Sequence, residues 1–186
     1  GDTIIMNRGN VSFTYQTSGT YQATLTVTNH GQCSSMFSLP VTIYPVTEGG
    51  MISGSKTIPL GESTGTLTLI DYTGSILEWQ KKKDEDEWIS VPHSEPMYEE
   101  IPLTMGIWHY RVLVQSPLCG QEFSEEALIT VTRPVQVVWN GHISNNWSTV
   151  DNWTPPILPD EEISAVIPAV APFPQPRVNS NNVCKD

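Results

Sequence analysis

The sequence predicts an all-β protein built from tandem β-sandwich modules followed by a small β module rich in Trp and Pro. The 186 residues include 15 Pro and 13 Gly, and its Thr-, Val- and Ile-rich runs alternate apolar and polar residues. No long stretch has the 3.6-residue period of an amphipathic helix, so we expect almost no helix. The length fits one large domain or two to three small ones, and the 38% hydrophobic content suffices for packed cores.

The first predicted unit covers residues 1–46. The run "GTYQATLTVTNHG" has a period of two, which predicts a half-buried strand with these residues facing inward: Tyr21, Ala23, Leu25 and Val27. The run "SLPVTIYPV" alternates Leu39, Val41 and Ile43 and then reaches a proline, which favours an edge strand followed by a linker.

These runs, with "GD" at the start and "VTIYPV" at the end, resemble the second half of a PKD domain. The resemblance implies a β-sandwich whose first half either precedes Gly1 or is replaced by another segment.

The second predicted unit covers residues 47–132 and contains four alternating strands. Their predicted inward residues are Leu67 and Leu69, Leu77 and Trp79, Tyr110, Val112 and Val114, and Ile129 and Val131. A strand with Trp79, followed some thirty residues later by Tyr110–Arg111–Val112, resembles the immunoglobulin fold. The runs "GGMISG" and "YTGSILEWQ" resemble the Ig-like repeats of large bacterial surface proteins.

The same resemblance bears on the cysteines. Val112 stands where antibody domains have a Cys, and Pro59 stands where the repeats often carry a partner for Cys119. Cys33, Cys119 and Cys184 also fall in different predicted units, so we expect no disulfide within the chain.

The third predicted unit covers residues 133–186, and its tryptophans are its most informative feature. Its "VVWNGHISNNWSTVDNWTPP…VIP" pattern resembles a module that commonly precedes a β-solenoid in modular surface proteins. Trp139, Trp147 and Trp153 could form a carbohydrate-stacking platform, helped by the amides of Asn140, Asn145, Asn146 and Asn152. The alternative is that the rings form the core of the unit. We prefer it because a small unit with few Leu and Phe residues must build its core from its largest apolar side chains.

Acidic residues of the third unit are the candidate metal ligands. Asp151 with Asn152, and Asp160–Glu161–Glu162, could bind Ca²⁺ through loop oxygens, but neither has the spacing of an EF-hand, and a solvated surface is the preferred interpretation. No other cofactor is expected. No motif pairs a nucleophile with a base, and the four histidines lie apart in the sequence, so we expect no catalytic residues.

Charge excludes some partners. The net charge of −11 and pI near 4.6 argue against binding to nucleic acid or anionic membranes. Lys81–Lys83 are followed at once by four acidic residues, which predicts a solvated hairpin tip. No apolar run approaches the ~18 residues that a membrane span requires, so direct membrane insertion is not expected.

These patterns favour a non-enzymatic stalk or adhesion region of a large bacterial cell-surface protein, with neighbouring modules, surface glycans or other proteins as partners. The resemblance implies an extracellular location, export by type IX secretion and a relation to gliding adhesins. The first alternative is a carbohydrate-binding accessory region of a secreted polysaccharide-degrading enzyme. The second is a chain whose catalytic domain lies beyond Asp186.

Overall fold

The computed structural model describes residues 12–169 and 174–177. Within these residues the chain forms β-strands, one 3-10 turn at Val150–Asn152 and no α-helix, which confirms the all-β class. The strands are β1 (Gly19–Thr28), β2 (Ser34–Ile43), β3 (Met51–Ser53), β4 (Lys56–Pro59), β5 (Leu67–Ile70), β6 (Ser75–Lys83), β7 (Ile89–Val91), β8 (Met97–Tyr98), β9 (Gly106–Gln115), β10 (Gln121–Phe123), β11 (Ala127–Thr132), β12 (Gln136–Trp139), β13 (Trp153–Thr154) and β14 (Ser164–Val166).

Strands β1 and β2 form an antiparallel hairpin that pairs with no other strand among the described residues. Its register pairs Leu25 with Phe37 and Ala23 with Leu39, so the apolar residues of both strands share one face, as their alternation predicts. Of the residues predicted to face inward, Tyr21, Ala23, Val41 and Ile43 are half-buried, but the prediction is wrong for Leu25, Val27 and Leu39, which are exposed. Leu25 is 59% exposed and Phe37 is 65% exposed, because no second layer among the described residues covers this two-stranded sheet.

The middle unit, residues 47–132, consists of two sheets that enclose one core. The larger sheet has the order β4-β11-β9-β6-β7, with β10 also paired to β9, and the smaller has the order β3-β5-β8. Both sheets contribute to a single cluster of buried residues: Ile52, Ile58, Leu60, Leu67, Leu69, Trp79, Tyr110, Val112, Val114, Ala127, Ile129 and Val131. All but one of the inward positions predicted for this unit are therefore confirmed.

Leu77 is the exception, since it is 42% exposed. The pairing of β6 with β9 shifts between Ile76 and Glu78, where a β-bulge places one extra residue in β6. Ile76 packs against the core instead, and beyond the bulge the alternation resumes with Trp79 fully buried. A strict period of two therefore assigns Leu77 to the wrong face.

The C-terminal unit, which begins at residue 133, is a three-stranded sheet of order β13-β12-β14. β12 pairs with β13 in antiparallel and with β14 in parallel orientation. Its core consists of Val137, Trp139, Trp153 and Ile163, with Trp147 and Ile157 packed against them. Ile157 also packs against the core of the middle unit, so the two cores adjoin.

A polar network closes one edge of the middle core around the carboxylate of Glu100. Tyr110 donates its hydroxyl to Glu100 Oε1 at 2.7 Å, Tyr98 donates to Oε2 at 3.0 Å, and Lys81 forms a salt bridge with the same group. Burial, together with the adjacent negative charge, raises the pKa of both tyrosines above their usual range. Both phenols therefore stay neutral in the folded protein over a wider pH range than in the unfolded chain.

The described residues contain no helix with the length and apolar character needed to cross a bilayer.

The tyrosine network predicts a loss of stability at alkaline pH. A tyrosine whose pKa is raised in the folded state contributes its full stabilisation below the unfolded-state pKa of about 10. This contribution to the free energy of unfolding is lost as the pH rises above that value. Urea melts of the parent should show a falling unfolding free energy above about pH 10, with Tyr110 contributing a slope of about 1.4 kcal/mol per pH unit.

The Tyr110→Phe variant should be less stable near neutrality, since it lacks the hydrogen bond to Glu100, but it should lose that part of the alkaline slope. Tyr44→Phe is the matched control for removal of a tyrosine hydroxyl, because Tyr44 is 40% exposed and lies outside the core. An identical alkaline slope in the parent and in Tyr110→Phe would contradict the prediction.

Candidate functional site

The three tryptophans of the C-terminal unit form one packed group. Trp139 and Trp153 are paired across β12 and β13, with their rings T-shaped at a centroid distance of 5.0 Å. Trp147 packs on the other side of Trp153, again T-shaped, at 4.7 Å. Edge-to-face packing of this kind stabilises aromatic pairs beyond the area they bury.

Burial of these rings supports the core interpretation over the stacking platform. Trp139 is 2% exposed and Trp153 is 1% exposed, so neither presents a free face to a sugar. Their indole N–H groups are also satisfied internally, by the carbonyls of Pro174 and Trp147 respectively. Only Trp147, which is half-buried, keeps part of its ring accessible.

Asn152 organises the loop that carries Trp147. It is fully buried, and its side-chain oxygen accepts the backbone N–H groups of Ile143 and Ser144 at 2.9 and 3.0 Å. Its amide nitrogen donates to Ser144 Oγ and to the carbonyl of Asn146. The amide therefore uses both its acceptor positions and both its donors, which is what burial of such a group requires.

The other predicted amides also serve the local backbone. Asn140 accepts the N–H of His142 at 2.9 Å and donates to Thr154 Oγ1, and Asn146 accepts the N–H of Ser148 at 3.2 Å. These are Asx turns, in which a short side chain replaces a backbone turn bond. Asn145 contributes through its backbone carbonyl, which accepts the N–H of Arg177 at 2.7 Å. The amides thus shape the loop that surrounds the tryptophans.

The candidate calcium ligands are not brought together. Asp160 forms a salt bridge with Arg133 and accepts the N–H of Glu162 at 2.9 Å, whereas Asp151 is exposed in the 3-10 turn. The Glu162 amide and the Arg133 guanidinium hold the pKa of Asp160 below its usual range. Glu161 is exposed beside them. In residues 12–169 and 174–177, no group of three or more His, Cys, Asp or Glu side chains is placed to hold a metal ion.

The histidines and cysteines lie in separate surroundings. His109 Nδ1 lies 2.8 Å from Glu126 Oε2 on the outer face of the larger sheet, and His93 contacts the carbonyl of Met97. Cys33 is exposed and Cys119 is half-buried, and both are free thiols, while Cys184 lies outside the described residues. His30 lies in the turn between β1 and β2, as the sequence indicates.

A cation–π stack on the outer face of the larger sheet was not expected from the sequence. The guanidinium carbon of Arg111 lies 3.9 Å from the ring centroid of Trp88 and 3.8 Å from that of Phe123. Its Nε donates to Gln80 Oε1 at 2.9 Å, and partial burial lowers the pKa of Arg111. The sequence does indicate that Arg111 lies on the outer face, because it stands between the inward residues Tyr110 and Val112, but it does not indicate the aromatic partners.

Two clefts lie where the units meet. One, of about 400 Å³, is lined by the base of the hairpin, including Tyr15 and Tyr44, and by Glu48 and Thr73 of the middle unit. The other, of about 240 Å³, lies between Leu60–Glu62 of the middle unit and Pro134–Gln136 with Pro155 of the C-terminal unit.

Residues 48–133 match the model of a domain of unknown function, DUF8696, and this range includes all of β3 to β11. No curated protein matches the chain.

Asn152 provides a test of how the C-terminal unit is held together. Asn152→Ala should lower the free energy of unfolding of this unit by roughly 3–5 kcal/mol, because it leaves two buried backbone N–H groups without acceptors. Urea melts combined with limited proteolysis should show early cleavage after residue 133 and continued protection of residues 47–132. Asn146→Ala is the matched control; it removes one exposed turn bond and should cost about 1 kcal/mol or less. Equal melts for the two variants would contradict the role assigned to Asn152.

The tryptophans should differ in their contributions to stability. Trp153→Ala should cost roughly 3–5 kcal/mol, since it empties the centre of the core. Trp147→Ala should cost less, because its ring is only half-buried. Urea melts of both variants, with acrylamide quenching of the parent, provide the measurement. An unchanged melt for Trp153→Ala would disprove the core interpretation.

Proposed function

We propose that the chain is a non-enzymatic spacer from the extracellular stalk or adhesion region of a large, modular bacterial cell-surface protein. In this proposal the hairpin belongs to a PKD-like module, residues 47–132 form an Ig-like module, and the C-terminal unit begins a further β module. The observation that carries the proposal is that both junctions between units are short and held by specific contacts, which suits a chain that must keep its shape between two attachment points.

The first junction is bonded directly to the middle unit. The side-chain oxygen of Thr47 donates to the carbonyl of Gly120 at 2.7 Å and accepts the N–H of Ser116 at 2.9 Å. The backbones of Glu48 and Thr73 exchange hydrogen bonds of 3.2 and 2.9 Å. Gly49 is buried so closely that a Cβ there would lie 2.1 Å from the carbonyl oxygen of Phe123. The chain therefore leaves the hairpin and docks without a free linker.

The second junction is three residues long, from the end of β11 to the start of β12. Arg133 in this link forms salt bridges with Asp160 and Glu162 of the C-terminal unit. Gly61 has a φ of +95° and approaches Pro155, whose Cδ would lie 3.3 Å from a Cβ at that position. With Ile157 in contact with both cores, these contacts favour one fixed angle between the units.

A carbohydrate-binding accessory region remains the second candidate, on the half-buried ring of Trp147. The geometry favours it less, because a flat platform uses several exposed rings and the neighbouring Trp139 and Trp153 are buried.

Spin-label distance measurements test the rigidity that a spacer needs. Labels at Ser90, in the middle unit, and at Ile143, which is 62% exposed in the C-terminal unit, should give a single narrow distance distribution. Insertion of Gly-Ser-Gly-Ser between Pro134 and Val135 should broaden it. A distribution in the parent as broad as in the insertion variant would contradict the spacer proposal.

A glycan array separates the two candidates. The spacer proposal expects no glycan to bind the chain. Binding that is lost in Trp147→Ala but kept in Trp88→Ala, with both variants folded, would favour the carbohydrate-binding candidate instead.

A further inference from the structure

We infer that the middle and C-terminal units are built to bear tensile load, each through a pair of parallel strands that is sheared when the chain is pulled from its ends. The inference deepens the proposed spacer function and rests on it for its biological purpose. It is carried by the strand order and by hydrogen bonds of the described residues.

In the middle unit, the parallel pair is β4 with β11. The register matches Lys56 with Ile129 and Pro59 with Thr132. β4 is close to the point where the chain enters the unit, and β11 is its last strand. We call this pair the middle clamp.

The direction of the strands determines how the middle clamp is loaded. In a parallel pair, the start of one strand and the end of the other lie at opposite ends of the ladder. Tension applied to the chain before β4 and after β11 therefore slides the strands along each other, and the inter-strand hydrogen bonds share the load. In a hairpin the two free ends lie side by side, so tension breaks the bonds one pair at a time.

Further contacts reinforce the middle clamp beyond its ladder. Leu60 donates its N–H to the carbonyl of Thr132 at 2.9 Å, and Ser55 Oγ accepts the N–H of Leu128 at 3.0 Å. Before β4, Glu125 donates to the carbonyl of Gly50 at 2.9 Å. On its other side β11 pairs with β9 over five residues, so β11 is held while β4 is drawn past it.

The C-terminal unit repeats this arrangement. β12 is its first strand and pairs in parallel with β14, with Gln136 opposite Ser164 and Val138 opposite Val166. Ser164 adds a hydrogen bond of 3.0 Å to the carbonyl of Val135, at the entry to the unit. Tension that enters at residue 133 and leaves after Val166 therefore shears this pair as well.

The N-terminal hairpin offers an internal comparison. β1 begins at Gly19 and β2 ends at Ile43, and these two residues are paired in the register. Tension at both ends therefore unzips the hairpin from this pair onward, and no buried core among the described residues opposes it. The same molecule thus places a weak element in series with two sheared ones.

Single-molecule force spectroscopy on the whole chain tests the inference, with Cys33, Cys119 and Cys184 replaced by Ser. Handles at the two ends load the middle clamp in shear. Handles attached at Lys56→Cys and Glu126→Cys pull on the same clamp at the start of both β4 and β11, so the two strands are peeled apart rather than sheared. The middle unit should unfold at no more than about half the force in the second geometry, because its ladder then opens stepwise. The unfolded length identifies the unit, since each residue adds about 3.3–3.6 Å.

Two double variants provide a matched comparison. Ser55→Ala with Thr132→Val removes two side-chain hydrogen bonds across the middle clamp, to Leu128 and to Ile58. Ser63→Ala with Ser90→Ala removes bonds outside the entering segment and the clamp, from Ser63 to Glu99 and Gly65 and from Ser90 to Glu78. Only the first pair should lower the unfolding force in the end-to-end geometry, while urea melts show that both variants are folded.

Equal forces in the two pulling geometries would overturn the inference. So would an equal loss of force in the two double variants. Either result would leave the spacer proposal in place if the spin-label distances remain narrow, since a rigid junction does not require a shear-resistant strand pair. Broad distances with a large difference between the geometries would instead remove the spacer proposal and keep the clamp.

Discussion

The parallel pairing of β4 with β11 sets the geometry of the molecule, because it fixes where the chain enters and leaves the middle unit. It joins the first part of the unit to its last strand, so the core is closed by residues far apart in sequence. The bond from Leu60 to Thr132 at its end then places Gly61 beside Pro155. The position of the C-terminal unit is thereby linked to the same pair of strands.

The cores of the middle and C-terminal units differ in size and are stabilised in different ways. The middle unit has two sheets and a continuous apolar core, with its polar network confined to the edge around Glu100. Among its described residues, the C-terminal unit has four buried apolar residues in its core and supplements them with one buried amide. Asn152 ties four groups of one loop together, which holds Trp147 against Trp153 where apolar contacts alone are few.

Much of the fold could be predicted from sequence because alternation in a half-buried strand is a local property. Tyr110, Val112 and Val114 follow the period of two and are all buried. Leu77 does not, since a bulge is set by the fit between two strands rather than by the residues of one. The nine strands of the middle unit also exceed the four predicted, because the five missed strands have only two to four residues and carry few alternations.

The site was less predictable than the fold, for a related reason. The Trp–Asn pattern signals an aromatic group, but a platform and a core use the same residues and differ only in what covers the rings. The stack of Trp88, Arg111 and Phe123 joins residues from three separate segments, and its formation depends on the pairing of β9 with β6 and β10.

The hairpin shows how charge and apolar surface are divided along the chain. No Asp, Glu, Lys or Arg lies between Arg8 and Glu48, so the hairpin carries no formal charge, and residues 48–186 carry 19 acidic and 8 basic residues, a net −11. In the part of the chain that the structure describes, both edges of this uncharged sheet are open, and it lacks the charged side chains that usually prevent edge-to-edge association. Like charge on the rest of the molecule opposes the approach of a second copy, with a range limited to about 10 Å by physiological salt. Charge repulsion between copies of the molecule is thus supplied by residues 48–186 and not by the hairpin.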